Sequence, residues 1–141
     1  HVPLVLSFPS RVPPGRRVET PVTLRDLPAT VMDLAGLRGR GVFPGVSLAP
    51  CWQGASDAPC SEPALISQAS VRTFGLVRPW YPLSHGDMQS VVADGFHYIW
   101  NSNGTQELYE LAVDPAEAHD LIDTDAGRVV ANRLKALLPL P

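Results

Sequence analysis

Two dipeptides, Asp94-Gly95 and Asn103-Gly104, most constrain how this chain can fold. They separate three runs that read as strands: Gln89–Ala93, Phe96–Asn101 and Thr105–Leu111. Asp-Gly and Asn-Gly suit tight hairpin turns, which need positive φ. In the middle run Phe96, Tyr98 and Trp100 alternate with His97 and Ile99, as a two-faced strand requires. The spacing predicts an antiparallel meander, and Ala64–Ala69 reads as a further strand. Asp114-Pro115 ends the last strand. A helix is then expected over Asp125–Leu138. Its apolar stripe would be Val130, Leu134, Leu137 and Leu138, with Arg133 and Lys135 near its C-terminal end.

The first half reads differently. Residues 2–8 (VPLVLSF) are a nearly continuous apolar run ended by Pro9, the pattern of a strand buried on both faces. Such a strand needs neighbours, and the following sequence offers none at once, so they are expected upstream of His1. After a Pro- and Arg-rich loop, a helix is predicted with Asp26 as N-cap, Pro28 in its first turn and Gly36 just past its end. Leu27, Val31, Leu34 and Ala35 form its expected apolar stripe. Repeated Gly and Pro break any period over 38–63. The organisation expected is residues 1–37 as one strand and helix, 38–63 as an irregular linker, and 64–141 as an antiparallel sheet with a helix.

With 141 residues, 45% of them hydrophobic, the chain is long enough for a real core. A net charge of −3 argues against nucleic acid as a partner. No apolar run approaches the length of a membrane span, so no membrane partner is expected. The start, HVPLVLSF, carries no signal-peptide features and reads as an internal point of a longer chain. Cys51 and Cys60 are as compatible with two thiols as with a disulfide, because sequence does not give their separation.

Four segments, in order, resemble the sulfatases of the alkaline phosphatase superfamily: HVPLVLSFPSRVPPG, TLRDLPATVMDLAGL, GVFPGVSLAPCWQG and SVVADGFHYIWNSNGTQELYELAVDPAEAHDL. The last holds Glu-Leu-Tyr-x-Leu-x-x-Asp-Pro-x-Glu at Glu107–Glu117. His97 stands where many relatives have Lys, and Asp120 where Asn is common. The resemblance implies an α/β (α+β) fold. Its parts would be the last strand and helix of an alkaline-phosphatase-like sheet, at residues 1–37, and a small antiparallel four-stranded sheet with a C-terminal helix. It also implies a mechanism for the parent protein. A formylglycine, made from Cys or Ser in a Cys/Ser-x-Pro-x-Arg motif, attacks a sulfate ester beside a Ca²⁺ held by Asp and Asn.

Neither Cys51 nor Cys60 has Pro at +2 and Arg at +4, and no Asp-Asp pair is present. No catalytic or metal-binding residue is therefore carried over. The chain is expected to need a separate N-terminal catalytic domain as partner and to be inactive alone. Ca²⁺, formylglycine and a sulfated small molecule or glycan belong to the parent.

The segment 70–88 offers Arg72, Trp80, Tyr81 and His85 as a substrate-pocket rim, with Arg78 and Asp87 nearby. The alternative is a surface loop whose aromatics pack between subdomains. His85 and Asp87 read as a surface pair rather than an acid/base pair, His97 as structural, and Arg11, Arg16 and Arg17 as a solvated face. Two other functions fit the same residues: part of a phosphodiesterase or phosphonate hydrolase of the superfamily, or a binding module that retains only the C-terminal fold.

Overall fold

The structure, a computed structural model, describes residues 3–37, 43–53, 63–70 and 80–139. The chain divides into two compact units, His1–Pro63 and Ala64–Pro141.

The second unit is a four-stranded sheet in the order β1 (Leu65–Ala69), β2 (Met88–Ala93), β3 (Phe96–Asn101) and β4 (Gln106–Glu110). Every neighbouring pair is antiparallel. At the β2–β3 hairpin both turn residues take positive φ, 52° at Asp94 and 82° at Gly95. The β3–β4 hairpin departs from the tight turn expected of Asn103-Gly104. Its loop is one residue longer, and of that dipeptide only Gly104 is left-handed, at φ 93°. The physical reason lies in Asn103, whose Oδ1 accepts from both Thr105 N and Thr105 Oγ1. That local bond holds Asn103 in ordinary backbone geometry while Gly104 makes the reversal.

One face of this sheet carries α3 (Asp125–Lys135). Tyr98, Leu108 and Leu134 are fully buried together with Val91, Ala131 and Leu138. Each large apolar side chain so buried contributes about 1.5–3 kcal/mol. The helix starts at Thr124, whose hydroxyl accepts from Gly127 N at 2.9 Å. A Cβ on Gly127 would collide with the Leu121 carbonyl, so the first turn sits against backbone. The expected stripe is shifted: Leu137 is 45% exposed, and the buried line runs through Gly127, Ala131, Leu134 and Leu138. At its N-terminal end the line needs glycine, because α3 there lies too close to the Leu121 carbonyl to admit a Cβ.

The outer edge of β4 is covered by the segment that leads to α3. Leu121 N donates to Leu108 O at 2.8 Å, and Asp120 Oδ1 accepts from Leu108 N and Ile122 N, each at 2.9 Å. An otherwise open strand edge is thereby closed.

The first unit has no strand among its described residues. The strand expected over 2–8 is not formed at residues 3–8. A strand exists only by pairing, and all the described strands lie in the second unit. Its helix α1 (Asp26–Leu34) corrects the expectation twice. Asp26 is the first helical residue rather than the N-cap. Its carboxylate instead accepts from Thr23 N and from Val46 N in the following segment. The buried face is also not the apolar stripe: Asp26, Thr30 and Asp33 are buried, whereas Val31 is 57% exposed. Thr30 Oγ1 accepts from Leu48 N at 2.9 Å, and Ser47 Oγ donates to Asp33 Oδ2 at 2.6 Å. The polar line i, i+4, i+7 thus clasps residues 46–48.

The helix ends as expected. Gly36, at φ 75°, donates to Asp33 O, and Leu37 N donates to Met32 O. Of the span 38–63 the described parts are 43–53 and 63, and they include a short helix, α2 (Pro50–Gln53), that no periodicity announced. Leu48, Ala49 and Trp52 form a small buried cluster beside Leu6, Val12, Val22 and Leu34. Cys51 is disulfide-bonded. Cys60, the other cysteine of the chain, lies outside the described residues.

Candidate functional site

The face of the sheet opposite α3 holds the chemistry of the second unit. Tyr98 and Leu108 point into the helix-covered core, so alternation sends Ile99, Asn101 and Glu107 to the other face. Met88, paired with Asn101, joins them.

The segment before β2 is tied to the β3–β4 hairpin. Asp87 N donates to Ser102 Oγ at 2.9 Å, Ser102 N to Asp87 O at 2.8 Å, and Asn103 N to His85 O at 3.3 Å. Gly86 adopts φ 97°, and a Cβ there would collide with Ser102 Oγ. These bonds hold the 3-10 turn Pro82–His85 at one end of the sheet. Trp80 and Tyr81 enter it with 72% and 58% exposure. The result is a concavity of about 420 Å³ lined by Trp80, Tyr81, His85, Met88, Ile99, Asn101 and Glu107.

Its polar groups have defined roles. Asn103 Oδ1 accepts two bonds from Thr105, so its other amide atom is the nitrogen. That NH₂ lies 3.2 Å from His85 Nδ1. A neutral His85 therefore accepts at Nδ1 and carries its proton on Nε2. Glu107 Oε2 accepts from Tyr109 OH at 2.8 Å, which orients the carboxylate. The Tyr109 hydroxyl is held well above its ordinary pKa, first by burial and then by its bond to Glu107 and the nearby acidic groups, so it stays a donor. Asn101 is 2% exposed, and its Oδ1 has no hydrogen-bond partner. An unsatisfied buried acceptor costs about 1–3 kcal/mol.

Three of the four residues singled out in the sequence, Trp80, Tyr81 and His85, come together here. The fourth, Arg72, lies outside the described residues, as does Arg78. Met88, Ile99, Asn101 and Glu107 were missed. The signal that finds them is the alternation in Phe96–Asn101, carried across the pairing of β3 with β2 and with β4.

His97 is structural: Nδ1 lies 2.9 Å from Glu117 Oε1, where Glu117 takes the left-handed φ of 54°. His119 is an exposed partner of Asp114 at 3.7 Å. Arg17 pairs with Glu19 in solvent.

Among the described residues no group of three or more His, Cys, Asp or Glu side chains is placed to hold a metal ion. Asp26 and Asp33, the buried carboxylates of the first unit, are committed to backbone N–H groups and to Ser47. This donor set does not fit a Ca²⁺ site. The expectation of no nucleophile rested on the two cysteines and overlooked Ser7-Phe8-Pro9-Ser10-Arg11, a serine with Pro at +2 and Arg at +4. Ser7 is exposed, just before a turn in which Arg11 N and Val12 N donate to Phe8 O. The spacing is present, but no acidic cluster accompanies it among the described residues.

No protein-family model matches the chain. A protein named "Sulfatase" from Formosa agariphila is 26% identical over 137 residues, covering 97% of this chain and 24% of the relative. A choline-sulfatase from Rhizobium meliloti is 28% identical over 132 residues, covering 92% and 23%. The chain thus spans about a quarter of the length of these relatives. Among solved structures, one described as a sulfatase from Bacteroides thetaiotaomicron superposes with a TM-score of 0.62 at 26% identity, covering 79% of this chain and 22% of that one. A 2-O GAG sulfatase gives 0.61, also at 26% identity, with the same coverage.

The chain is a C-terminal portion of a sulfatase-type protein. The phosphonate monoester hydrolase of Agrobacterium radiobacter shares the fold, with a TM-score of 0.56 at 18% identity over 79% of this chain and 23% of its own. The fold of the sheet and C-terminal helix is therefore not by itself a mark of one substrate.

Proposed function

We propose that this chain is the supporting, substrate-side part of a hydrolase of sulfuric esters, whose nucleophile and Ca²⁺ site reside in an N-terminal catalytic domain. The observation that carries this reading is the likeness to two sulfatases along nearly the whole chain but only about a quarter of theirs. In this reading residues 1–37 are the closing strand and helix of the catalytic sheet, 38–63 the connection, and 64–141 the small C-terminal subdomain. The exposed Leu4, Val5, Leu24 and Val31 would then be covered by that sheet and its helices. Trp80, Tyr81 and His85 would form part of the rim of the substrate site, with Arg72 on the same segment. The substrate would be a sulfated small molecule or glycan; the 2-O GAG sulfatase among the neighbours favours a glycan.

The test is an assay with 4-nitrophenyl sulfate and Ca²⁺. The 141-residue chain alone is expected to give no turnover, and a polypeptide that also carries the coding sequence upstream of His1 is expected to give Ca²⁺-dependent turnover. Turnover by the chain alone that is lost in Ser7→Ala would overturn the reading, and so would formylglycine at Ser7 by mass spectrometry. Preference of the longer polypeptide for a phosphonate ester over the sulfate would replace sulfate with phosphonate as the substrate.

A further inference from the structure

The concavity at the end of the sheet has a composition that selects its ligand. Two exposed aromatic rings, Trp80 and Tyr81, stand over it. Rings in this position offer apolar faces to a flat, partly apolar ligand. The carboxylate of Glu107 lines it, oriented by Tyr109 OH. A carboxylate accepts hydrogen bonds from hydroxyls and repels a sulfate. Asn101, nine-tenths buried and more, lines it, and its Oδ1 has no hydrogen-bond partner. His85 supplies an Nε2–H donor, because Asn103 occupies its Nδ1. The set is therefore two stacking faces, two acceptors and one donor. That is the complement of an uncharged ring bearing several hydroxyls, not of an anion.

We propose that this concavity is a subsite for an uncharged pyranose unit, whose ring stacks on Trp80 and Tyr81 and whose hydroxyls donate to Glu107 and Asn101. His85 Nε2–H donates to a hydroxyl or ring oxygen of the same unit. At about 420 Å³ the concavity has room for such a unit and part of its neighbour. This rests on the reading of residues 80–85 as part of a substrate surface, and it divides the labour there. The sulfated residue of a glycan goes elsewhere, and an unsulfated one is held here.

The experiment is a titration of the 141-residue chain with cellobiose, lactose and N,N′-diacetylchitobiose, followed by NMR of the Trp80 indole and the Met88 and Ile99 methyl groups. Heparin disaccharides serve as anionic comparators. At least one neutral disaccharide is expected to shift these resonances with a Kd in the millimolar range. Trp80→Ala is expected to weaken that binding by roughly tenfold, with the core resonances of Tyr98 and Leu134 unchanged. Glu107→Gln is expected to keep neutral-sugar binding and to admit the sulfated disaccharides. Three results would overturn the proposal: no shift with any neutral disaccharide, tighter binding of a sulfated one to the unaltered chain, or binding indifferent to Trp80→Ala. Loss of this binding with sulfatase activity intact in the longer polypeptide removes only the subsite. Binding without sulfatase activity there removes only the hydrolase reading.

Discussion

Two helices of similar length, α1 and α3, bury opposite kinds of side chain. Helix α3 buries Gly127, Ala131 and Leu134 against its own sheet and starts on its own cap, Thr124. Helix α1 buries Asp26, Thr30 and Asp33 against a loop and leaves Val31 exposed; its N-cap residue, Arg25, makes no side-chain cap. Amphipathic pattern reports which face seeks an apolar partner, not which face the chain at hand covers. The α3 partner is in the same unit. On α1 only Leu34 of the apolar side packs within its own unit, against the Leu48, Ala49 and Trp52 cluster, while the polar side is organised by hydrogen bonds to residues 46–48.

The strongest test of this contrast is truncation of one apolar residue on each helix. Leu134→Ala removes a side chain with no exposure from the centre of the core, and is expected to destabilise the second unit by about 2–5 kcal/mol. Val31→Ala on α1, where the side chain is 57% exposed, is expected to stay within about 0.5 kcal/mol. Urea unfolding of both variants measures the difference. Comparable losses at the two sites would break the contrast, because Val31 would then have a partner.

The polar clasp of α1 is next in size. Thr30 Oγ1 both donates to Asp26 O and accepts from Leu48 N in a fully buried position. Thr30→Val keeps the shape and leaves the Leu48 N–H unpaired. A loss of about 1–3 kcal/mol is expected, together with faster amide exchange at Leu48. A neutral Thr30→Val would show that the loop is held by the Leu48, Ala49 and Trp52 cluster instead. On α3 the corresponding change is Thr124→Ala, which removes only a local cap and should cost about 1 kcal/mol, read by the same unfolding curve.

The contrast also explains what the sequence disclosed. All four strands, the final helix and the left-handed Gly36 were legible, because each rests on local chemistry: alternation, Asp-Gly and Asn-Gly turns, a glycine past a helix end. The strand expected at 2–8 is not formed at residues 3–8, because the pairing it needs is not local and the first unit has no strand among its described residues. The buried face of α1 was misread because tertiary bonds to residues 46–48 outweigh periodicity. Trp80, Tyr81 and His85 were singled out from the long irregular segment 70–88, and they line one concavity. Asn101 and Glu107 were legible by alternation once the strands were fixed, but their meeting with His85 depends on the Asp87–Ser102 bonds, which no spacing announces.

The smallest expected effect is a pH dependence seated in the second unit. The Asp114 carboxyl is held below its ordinary value, first because it accepts from the Ala118 and His119 amides and also because His119 lies near. A carboxyl with a lowered folded pKa contributes stability that is present above its unfolded value, about 3.9, and that is lost as pH falls through the folded value. The turn over residues 114–119 should therefore hold at neutral pH and loosen in acid. The amide proton shifts of Ala118 and His119 are expected to titrate with a midpoint below about 3.9, and Asp114→Asn should abolish that step. The neighbouring His97–Glu117 contact lies in the same loop. If the acid step survives Asp114→Asn, the turn is held from the sheet side through the contact of Glu117 with His97 rather than by its own aspartate.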